Sequence, residues 1–442
     1  MKVNINWAEA GKRRARVVGA GMTGLCAAAM LGERGWRVEV LEAADGAGGL
    51  LRPVPFHGVA CDRGSHRVHA EAYAWLRDAA GVRWVSRPRR GMMVLGGRHV
   101  PYPLAPWSFA RGVGARATVE MAAGFLLRPG MLAAFRRWES ARPADGADEG
   151  FEAFVRGRAG TRAYEAFYRP YAEKVWGVPP AELSRSVAKQ RVSTAAPLRG
   201  WTAARRPQSF LYPAGGMAAL LDALVRRAAQ AGVEVRYGAR FTAADVDPRV
   251  PTLFTGGLGA LTGQVGLEHR GLHLVFLALD TARVSAVDTW YLPGTEWTMG
   301  RVSEVGNFGT ERRGRARAVL CVEVPQGRGD PARVPHVDDV TAQLRRAGIL
   351  PARCRVLDHH HVWVDGVYPL HRRGWRRELA SALEHAAGLG VLPLGRQGLF
   401  LHCNLDHCAR MARAAVEHLD GGGDARGWLA LVPGFLDARV RD

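Results

Sequence analysis

The clearest hydrophobic pattern in the chain runs from Arg16 to Glu42. Val17 and Val18 predict a short buried strand, Leu25 to Arg34 have a helix-compatible composition, and Arg37 to Leu41 predict a second strand. Glycines occupy the turn between the first strand and the helix. The order strand, turn, helix, strand predicts a βαβ unit with two parallel strands.

Helical and extended patterns alternate along the rest of the chain. Helical spacing of apolar residues predicts an insertion from Pro103 to about Pro207, with a polar loop at residues 140–150. Further helices are predicted at 71–81, 217–230 and 337–347, a hairpin at 93–102, and extended segments near 233–237, 272–280, 288–293, 318–325 and 354–364. The last pattern, from Leu394 to Leu419, predicts a strand, a turn and a helix whose N-terminus lies near Asn404 to Asp406.

At 442 residues the chain is long enough for two domains. We predict the α/β class, with a discontinuous Rossmann-like domain and a mixed helical and β-sheet substrate domain. The first would comprise residues 14–95, 208–265 and 375–442. The second would comprise residues 96–207, including the helical insertion, and 266–374.

The glycines of the first turn have the spacing of a dinucleotide-binding site. Gly19 would allow the tight turn, Gly21 would let the backbone approach a pyrophosphate, and Gly24 would let the helix pack closely on the strand. Glu42 ends the second strand, where a carboxylate can accept hydrogen bonds from ribose hydroxyl groups and disfavours a 2′-phosphate. NADP is therefore disfavoured.

A second glycine turn follows Glu42 directly and bears on the choice between FAD and NAD. Gly46, Gly48 and Gly49 could wrap an extended cofactor, which an NAD-only fold does not need. The alternative is a plain surface loop.

Composition changes this interpretation little. The chain has 48% hydrophobic and 23% charged residues, typical of a globular protein. Its net charge of +20 is carried almost entirely by dispersed arginine, which favours a GC-rich genome over a polyanionic partner. We predict a cytoplasmic protein with a small-molecule substrate and without a nucleic-acid or membrane partner. The oligomeric state stays open. The six cysteines are scattered and indicate no disulfide framework.

A block from Tyr168 to Val192 resembles one in flavoproteins related to UDP-galactopyranose mutase and, more distantly, protoporphyrinogen oxidase and amine oxidases. Those enzymes carry a Y-x-E-K-x-W-G block, matched here by Tyr171, Glu173, Lys174, Trp176 and Gly177. Further matching pieces occur in the same order along nearly the full length. They are G-x-H-x-x-H (Gly64, His66, His69), R-x-x-E-x-x-x-F (Arg301, Glu304, Phe308), Y-P-L (Tyr368, Pro369, Leu370) and terminal G-R and N-x-D pieces.

The resemblance implies an FAD protein whose substrate domain closes over the isoalloxazine ring. It implies that His66 lies beside the flavin, that Arg396 reaches the FAD pyrophosphate, and that Asn404 and Asp406 lie close to the flavin. Gly48 and Gly49 complete the cofactor contacts that we expect.

The resemblance also implies a substrate site formed by residues of several of these pieces. Trp176 would lie on or near a nucleotide base, and Arg191 and Arg301 would hold a pyrophosphate, for which a guanidinium is well suited. Tyr171, Lys174 and Tyr368 complete the predicted substrate site.

One departure from the mutases bears on the reaction. Their terminal segment carries two tyrosines in the substrate site, whereas His402 and Cys403 stand here. We therefore favour an FAD-dependent oxidoreductase that transfers a hydride to the flavin, with His66 or His402 handling a proton. The alternatives are a non-redox nucleotide-sugar mutase and a flavin-binding protein without catalysis.

Some of these residues also have simpler interpretations. Trp176 could simply pack in a core, and Lys174 could form a surface ion pair with Glu173 or bind phosphate instead of acting as a catalytic amine. A covalent thioether from Cys403 to the flavin is a minor alternative.

We predict no metal site. The run Asp358 to His361 lies in an extended segment, where alternate side chains face opposite sides of the strand.

Overall fold

The computed structural model describes residues 13–68, 81–102, 150–159, 161, 164–191, 209–309, 317–326 and 333–436. The strands within these ranges are β1 Arg14–Val18, β2 Arg37–Leu41, β3 Val54–Phe56, β4 Val59–Cys61, β5 Trp84–Pro88, β6 Gly91–Leu95, β7 Arg98–Tyr102, β8 Ser209–Pro213, β9 Glu234–Arg236, β10 Thr252–Phe254, β11 His269–Leu279, β12 Thr289–Tyr291, β13 Arg301–Glu304, β14 Val319–Gln326, β15 Val356–Pro369 and β16 Val391–Pro393. The α-helices are α1 Met22–Glu33, α2 Phe151–Ala159, α3 Arg169–Trp176, α4 Arg185–Arg191, α5 Gly216–Gln230, α6 Leu258–Thr262, α7 Val337–Arg346, α8 Trp375–Gly388, α9 Gly395–Gly398, α10 Leu405–Asp420, α11 Ala425–Leu431 and α12 Pro433–Leu436.

A parallel five-stranded sheet carries the predicted βαβ unit. Its strand order is β16-β10-β1-β2-β9, and each neighbouring pair is parallel. Helix α1 packs against α5 and α10, and nearly all of it is buried. The alanine run from Ala27 to Ala29 has the small side chains that such close packing on several sides requires.

The second large sheet has seven strands in the order β15-β11-β14-β13-β12-β6-β7, antiparallel except for β12 with β6. Strand β11 is apolar on both faces because both faces are covered. Leu274 and Phe276 pack with residues of α2 to α4, while Val275 and Leu277 pack with residues of α7. The continuous hydrophobic run in the sequence follows from this two-sided burial.

Most of the secondary-structure predictions that fall on described residues are confirmed. They include the hairpin at 93–102, which forms β6 and β7, the helix at 337–347, the extended segment at 354–364, and the helical character of the insertion at 151–159 and 164–191. The loop at 140–149 and most of the helix predicted at 71–81 lie outside the described residues.

The strand predicted after Gly395 is wrong. Residues 399–404 form no strand, because N–H groups of Leu399, Phe400 and Leu401 donate back to the turn at residues 395–397. Phe400 is fully buried and adopts φ 51°, a left-handed conformation that is rare for a bulky side chain. The strand of this segment, β16, lies before the turn instead.

The predicted domain boundaries stay a prediction. The two large sheets follow the proposed division, except that β6 pairs with β7 and β12 in the seven-stranded sheet. The boundary predicted at residue 95 assigns this strand to the Rossmann-like domain.

Candidate active site

The turn between β1 and α1 has the geometry of a dinucleotide cradle. Gly19 has φ 99°, and its N–H donates to the carbonyl of Leu41 at 2.8 Å. A Cβ atom on Gly24 would overlap the carbonyl oxygen of Gly19, so this position requires glycine. Gly21 caps α1 without a side-chain hydrogen bond, which leaves the first N–H groups of the helix to bind an anion.

Glu42 ties the first glycine turn to the start of the second. Its Oε2 accepts from the N–H of Ala20 at 2.7 Å, and its Oε1 accepts from the N–H of Ala44 at 2.8 Å. A carboxylate has about four lone-pair sites, so acceptor capacity remains for ribose hydroxyl groups. Gly48 donates to the carbonyl of Ala20 at 2.8 Å, and Gly48 and Gly49 both have positive φ.

The terminal piece meets the first turn of α1. A Cβ atom on Gly395 would lie 2.7 Å from Oγ1 of Thr23, so the two segments are in direct contact. Asn404 caps α10, and its backbone N–H donates to Nδ1 of His407 at 3.3 Å. Asp406 lies in the first turn of that helix. The structure thus brings both glycine turns and the terminal piece together around one helix N-terminus.

Arg396 holds the terminal loop against strand β15. Its Nε and Nη2 donate to the carbonyl of Val367 at 3.0 and 2.9 Å, and its Nη1 donates to the carbonyl of Cys403 at 2.9 Å. The guanidinium lies 5.9 Å from the ring centroid of Tyr368. The contact of Arg396 with the FAD pyrophosphate stays a prediction. It would use guanidinium N–H groups that do not donate to Val367 or Cys403.

His66 is buried within reach of the charges of Arg301, on the seven-stranded sheet, and Arg396, in the terminal piece. Burial lowers its pKa to about 4, helped by the positive charges of Arg301 and Arg396, while hydrogen bonds to the backbone of Leu50 and Arg63 act in the opposite direction. The imidazole is therefore neutral at physiological pH. Among the described residues, its Nε2 atom is buried and has no hydrogen-bond partner. His69, the other histidine of this piece, lies outside the described residues.

Arg301 forms a bidentate ion pair with Glu323 on the neighbouring strand. Its Nε and Nη2 each donate to a carboxylate oxygen at 2.6 Å, and the Glu323 side chain is only 3% exposed. Burial lowers the pKa of Arg301, but Glu323, and then the phenols of Tyr368 and Tyr291, raise it well above its ordinary value. Glu323 occupies the Nε–Nη2 edge of the guanidinium, so a phosphate could bind that edge only by displacing the carboxylate.

Trp176 is buried and contacts two other predicted site residues. Its ring meets His402 edge-on at 4.8 Å and Tyr368 edge-on at 5.9 Å between centroids. His402 Nε2 lies 2.8 Å from the carbonyl oxygen of Pro369, which can only accept, so Nε2 carries the proton. Whether Trp176 also touches substrate stays a prediction.

The surface ion pair between Lys174 and Glu173, one of the alternatives that the sequence left open, does not form, and a role of Lys174 toward substrate or phosphate stays a prediction. Lys174 instead donates to the carbonyl groups of Leu292, Gly294 and Met299, which line one loop. The carboxylate of Glu173 pairs with Arg169 at 3.0 Å. Lys174 points toward the loop and not toward Glu173, because three carbonyl acceptors satisfy the three N–H donors of its ammonium group.

The other two predicted substrate residues lie on the helices that cover the sheet. Tyr171 stacks on Phe167 with centroids 6.0 Å apart, and Tyr168 meets Phe167 edge-on at 4.8 Å. Phe167 and Tyr168 end a π-helical turn, a feature that often occurs at functional sites. Arg191 ends α4, and its side chain lies outside the described residues.

Sequence reasoning missed several residues of this region. His371 is fully buried, stacks on Trp375 at 3.8 Å and lies 2.7 Å from the carbonyl of Phe400, and burial lowers its pKa to about 3. Asp62 accepts a hydrogen bond from the Tyr212 hydroxyl group, and burial raises the pKa of Asp62 to about 7. Glu323 was also missed, although the sequence marks it as the single acidic residue in the apolar strand β14.

Neither a metal site nor a membrane span is found in the described part of the chain. No three His, Cys, Asp or Glu side chains converge there as metal ligands. In the Asp358 to His361 run, His361 contacts His273 while His360 stacks on Phe56. None of the helices among these residues is long and apolar enough to span a bilayer.

The family comparison covers more than half of the chain. Residues 22–258 match the model of the family described as flavin containing amine oxidoreductase. A curated relative, the tRNA 5-methylaminomethyl-2-thiouridine biosynthesis bifunctional protein of Aromatoleum aromaticum, is 46% identical over 56 residues. That match covers 11% of this chain and only 9% of the relative.

Solved structures of similar fold cover nearly the whole chain. Reduced UDP-galactopyranose mutase aligns with a TM-score of 0.76 at 18% identity, over 97% of this chain and 98% of the other. A protoporphyrinogen oxidase homologue from Exiguobacterium sp. 255-15 aligns at 0.69 and 16% identity, over 93% and 99%. Putrescine oxidase bound to putrescine aligns at 0.60 and 17% identity, over the same shares of each chain.

These proteins share the Rossmann-type fold seen here, and the residues matched by the family model include Gly24, Glu42 and the second glycine turn. The cradle geometry agrees with the cofactor of that family. The chain therefore belongs to the flavin-containing amine oxidoreductases, and its cofactor is FAD.

Proposed function

We propose that the protein is an FAD-dependent oxidoreductase that removes a hydride from a small, largely apolar substrate carrying an amine or hydroxyl group. The observation that carries this proposal is the bidentate pairing of Arg301 with the buried Glu323. The carboxylate neutralises the charge of Arg301 and occupies its Nε–Nη2 edge, so this guanidinium attracts a diphosphate less strongly than an unpaired arginine would.

The surroundings of this pair support an apolar substrate. Tyr291 lies near the guanidinium and belongs to a cluster with Met93, Phe167 and Tyr102. The Tyr102 and Tyr291 rings are 4.5 Å apart. Aromatic side chains contribute large apolar contact areas, and their hydroxyl groups can orient a polar group on the substrate.

His66 is the residue that we propose for proton handling. Its neutral imidazole, with the buried Nε2, can accept a hydrogen bond or a proton from a substrate amine or hydroxyl group. FAD supplies the hydride acceptor, and oxygen or another acceptor reoxidises it. Glu42 and the glycine turns would hold the adenosine and pyrophosphate parts of the cofactor.

The test is whether a substrate reduces the flavin and whether turnover consumes oxygen. We expect amines or alcohols with apolar substituents to bleach the flavin spectrum anaerobically and to support steady oxygen uptake. The His66→Gln variant should keep its FAD affinity while the rate of flavin reduction falls about 10²- to 10⁴-fold. Loss of FAD binding in this variant would instead indicate a structural role for His66.

The runner-up is a non-redox nucleotide-sugar mutase, favoured by the Tyr171–Gly177 block and by the alignment with reduced UDP-galactopyranose mutase. A mutase converts nucleotide sugars only after chemical reduction and consumes no oxygen in steady state. Interconversion of nucleotide sugars by the dithionite-reduced protein, without oxygen uptake on any substrate, would overturn our proposal. FAD binding without turnover of either substrate class would also overturn it and would indicate a binding protein.

A further inference from the structure

Two cysteines of the terminal segment lie in contact beside the dinucleotide cradle. The sulfur atoms of Cys403 and Cys408 are 3.7 Å apart. Cys403 precedes the helix cap Asn404, and Cys408 lies in the first turn of α10. These are the two positions whose side chains meet across a capped helix start, so the backbone itself keeps the two thiols together.

The environment makes the two thiols unequal. The hydrogen bond with Cys403 lowers the pKa of Cys408 to about 7 against the effect of burial, helped by Thr23, Arg396 and His407. The same hydrogen bond, together with burial, raises the pKa of Cys403 well above its ordinary value. Cys408 is therefore the more acidic of the two thiols, and Cys403 holds the shared proton when Cys408 ionises.

Each of the two residues is only 7% exposed, so a bulky reagent is excluded from the thiols. A disulfide requires the sulfur atoms to approach to about 2.05 Å. Cys403 belongs to the irregular segment 399–404, so closing the bond to Cys408 involves only one residue of a regular element.

We propose that Cys403 and Cys408 form a peroxide-reactive dithiol that closes reversibly into a disulfide. The Cys408 thiolate attacks one oxygen of hydrogen peroxide, the O–O bond breaks, hydroxide leaves and Cys408 becomes a sulfenic acid. The Cys403 thiol then attacks the Cys408 sulfur, the S–O bond breaks, and water leaves with the Cys403 proton. A low-molecular-weight thiol restores both thiols by exchange.

The proposed function enters only as a source of peroxide, which forms when oxygen reoxidises a reduced flavin. The test therefore adds peroxide to the FAD-loaded protein without substrate. After denaturation and alkylation, cleavage at Arg396 and Arg410 yields peptide 397–410, which contains both cysteines. We expect this peptide to escape alkylation and to be lighter by two hydrogen atoms than the reduced, unalkylated peptide. Treatment with dithiothreitol should restore its two free thiols.

Two variants and one reagent sharpen the result. Cys403→Ser should accumulate the sulfenic acid at position 408, which a dimedone adduct detects, and Cys408→Ser should give no adduct at position 403. Oxidised glutathione at the same concentration should leave the peptide alkylated, because it is too large to reach the sulfur atoms.

Absence of the lighter peptide after peroxide treatment would overturn the proposal. Equal oxidation of the other cysteines, Cys26, Cys61, Cys321 and Cys354, would also overturn it. A protein that forms the disulfide but shows no oxygen uptake would refute the proposed function and leave the dithiol standing.

Discussion

A methyl group at Gly21 tests whether the turn between β1 and α1 holds the FAD pyrophosphate. In the protein itself there is room, because a Cβ atom would lie 4.0 Å from its nearest neighbours, the carbonyl oxygen of Gly48 and Cα of Gly49. The backbone at Gly21 has φ −82° and ψ −173°, an extended conformation that alanine adopts without strain. Gly21→Ala should therefore disturb the bound cofactor more than the fold.

The magnitudes separate these two effects. Alanine is a poorer helix cap than glycine by about 0.5–1 kcal/mol. Alanine also reduces the conformational freedom of the unfolded chain, which stabilises the folded protein by about 0.4–1 kcal/mol. The stability of the apoprotein should thus stay within about 1 kcal/mol of wild type. Loss of one charge-assisted hydrogen bond to the pyrophosphate costs about 1.5–3 kcal/mol, which corresponds to an increase in Kd of about 10- to 100-fold.

The assay pairs urea unfolding of the apoprotein with titration of FAD by its fluorescence quenching. Gly24→Ala is the matched control, since its Cβ would overlap the carbonyl group of Gly19 and approach Cγ1 of Val17 to 3.3 Å. That variant should lose about 1–3 kcal/mol of apoprotein stability. Gly21→Ala with wild-type FAD affinity, or with an apoprotein as unstable as Gly24→Ala, would refute the reasoning.

Three further predictions follow from buried or bridging carboxylates. Glu42→Ala should lose FAD affinity because the ribose hydroxyl groups lose their acceptor, and unchanged binding in an FAD titration would contradict the assignment. Burial raises the pKa of Asp62 from 3.8 to about 7, so the folded protein keeps a proton that the unfolded chain releases, and stability falls as pH rises between these values. The free energy of unfolding of Asp62→Asn, measured in urea across that pH range, should depend less on pH than that of wild type. An unchanged dependence would show that other groups cause it. Glu323→Gln leaves Arg301 beside a neutral amide and should cost about 3–5 kcal/mol in urea unfolding, and a wild-type midpoint would show that the pair contributes little to stability.

The sequence alone was sufficient for the βαβ unit, because its determinants are local. The glycine spacing, the apolar strands and the terminal Glu42 all lie within one short stretch, and each acts on its immediate neighbours. The observed β1, α1 and β2 follow these patterns closely. The terminal segment shows the limit of such reasoning, since a run of apolar residues predicted a strand where Phe400 adopts a left-handed turn.

Only the tertiary structure decided which polar groups meet in the site. Tyr212 bonds Asp62 across 150 positions of sequence, and Lys174 bonds carbonyl groups more than a hundred positions away. Periodicity shows which face of an element is buried, but a buried polar group takes the partner that the packed sheets and helices place beside it. For that reason the fold and the FAD cradle could be predicted from the sequence, whereas the pairing of Arg301 with Glu323, on which the proposed reaction depends, could not.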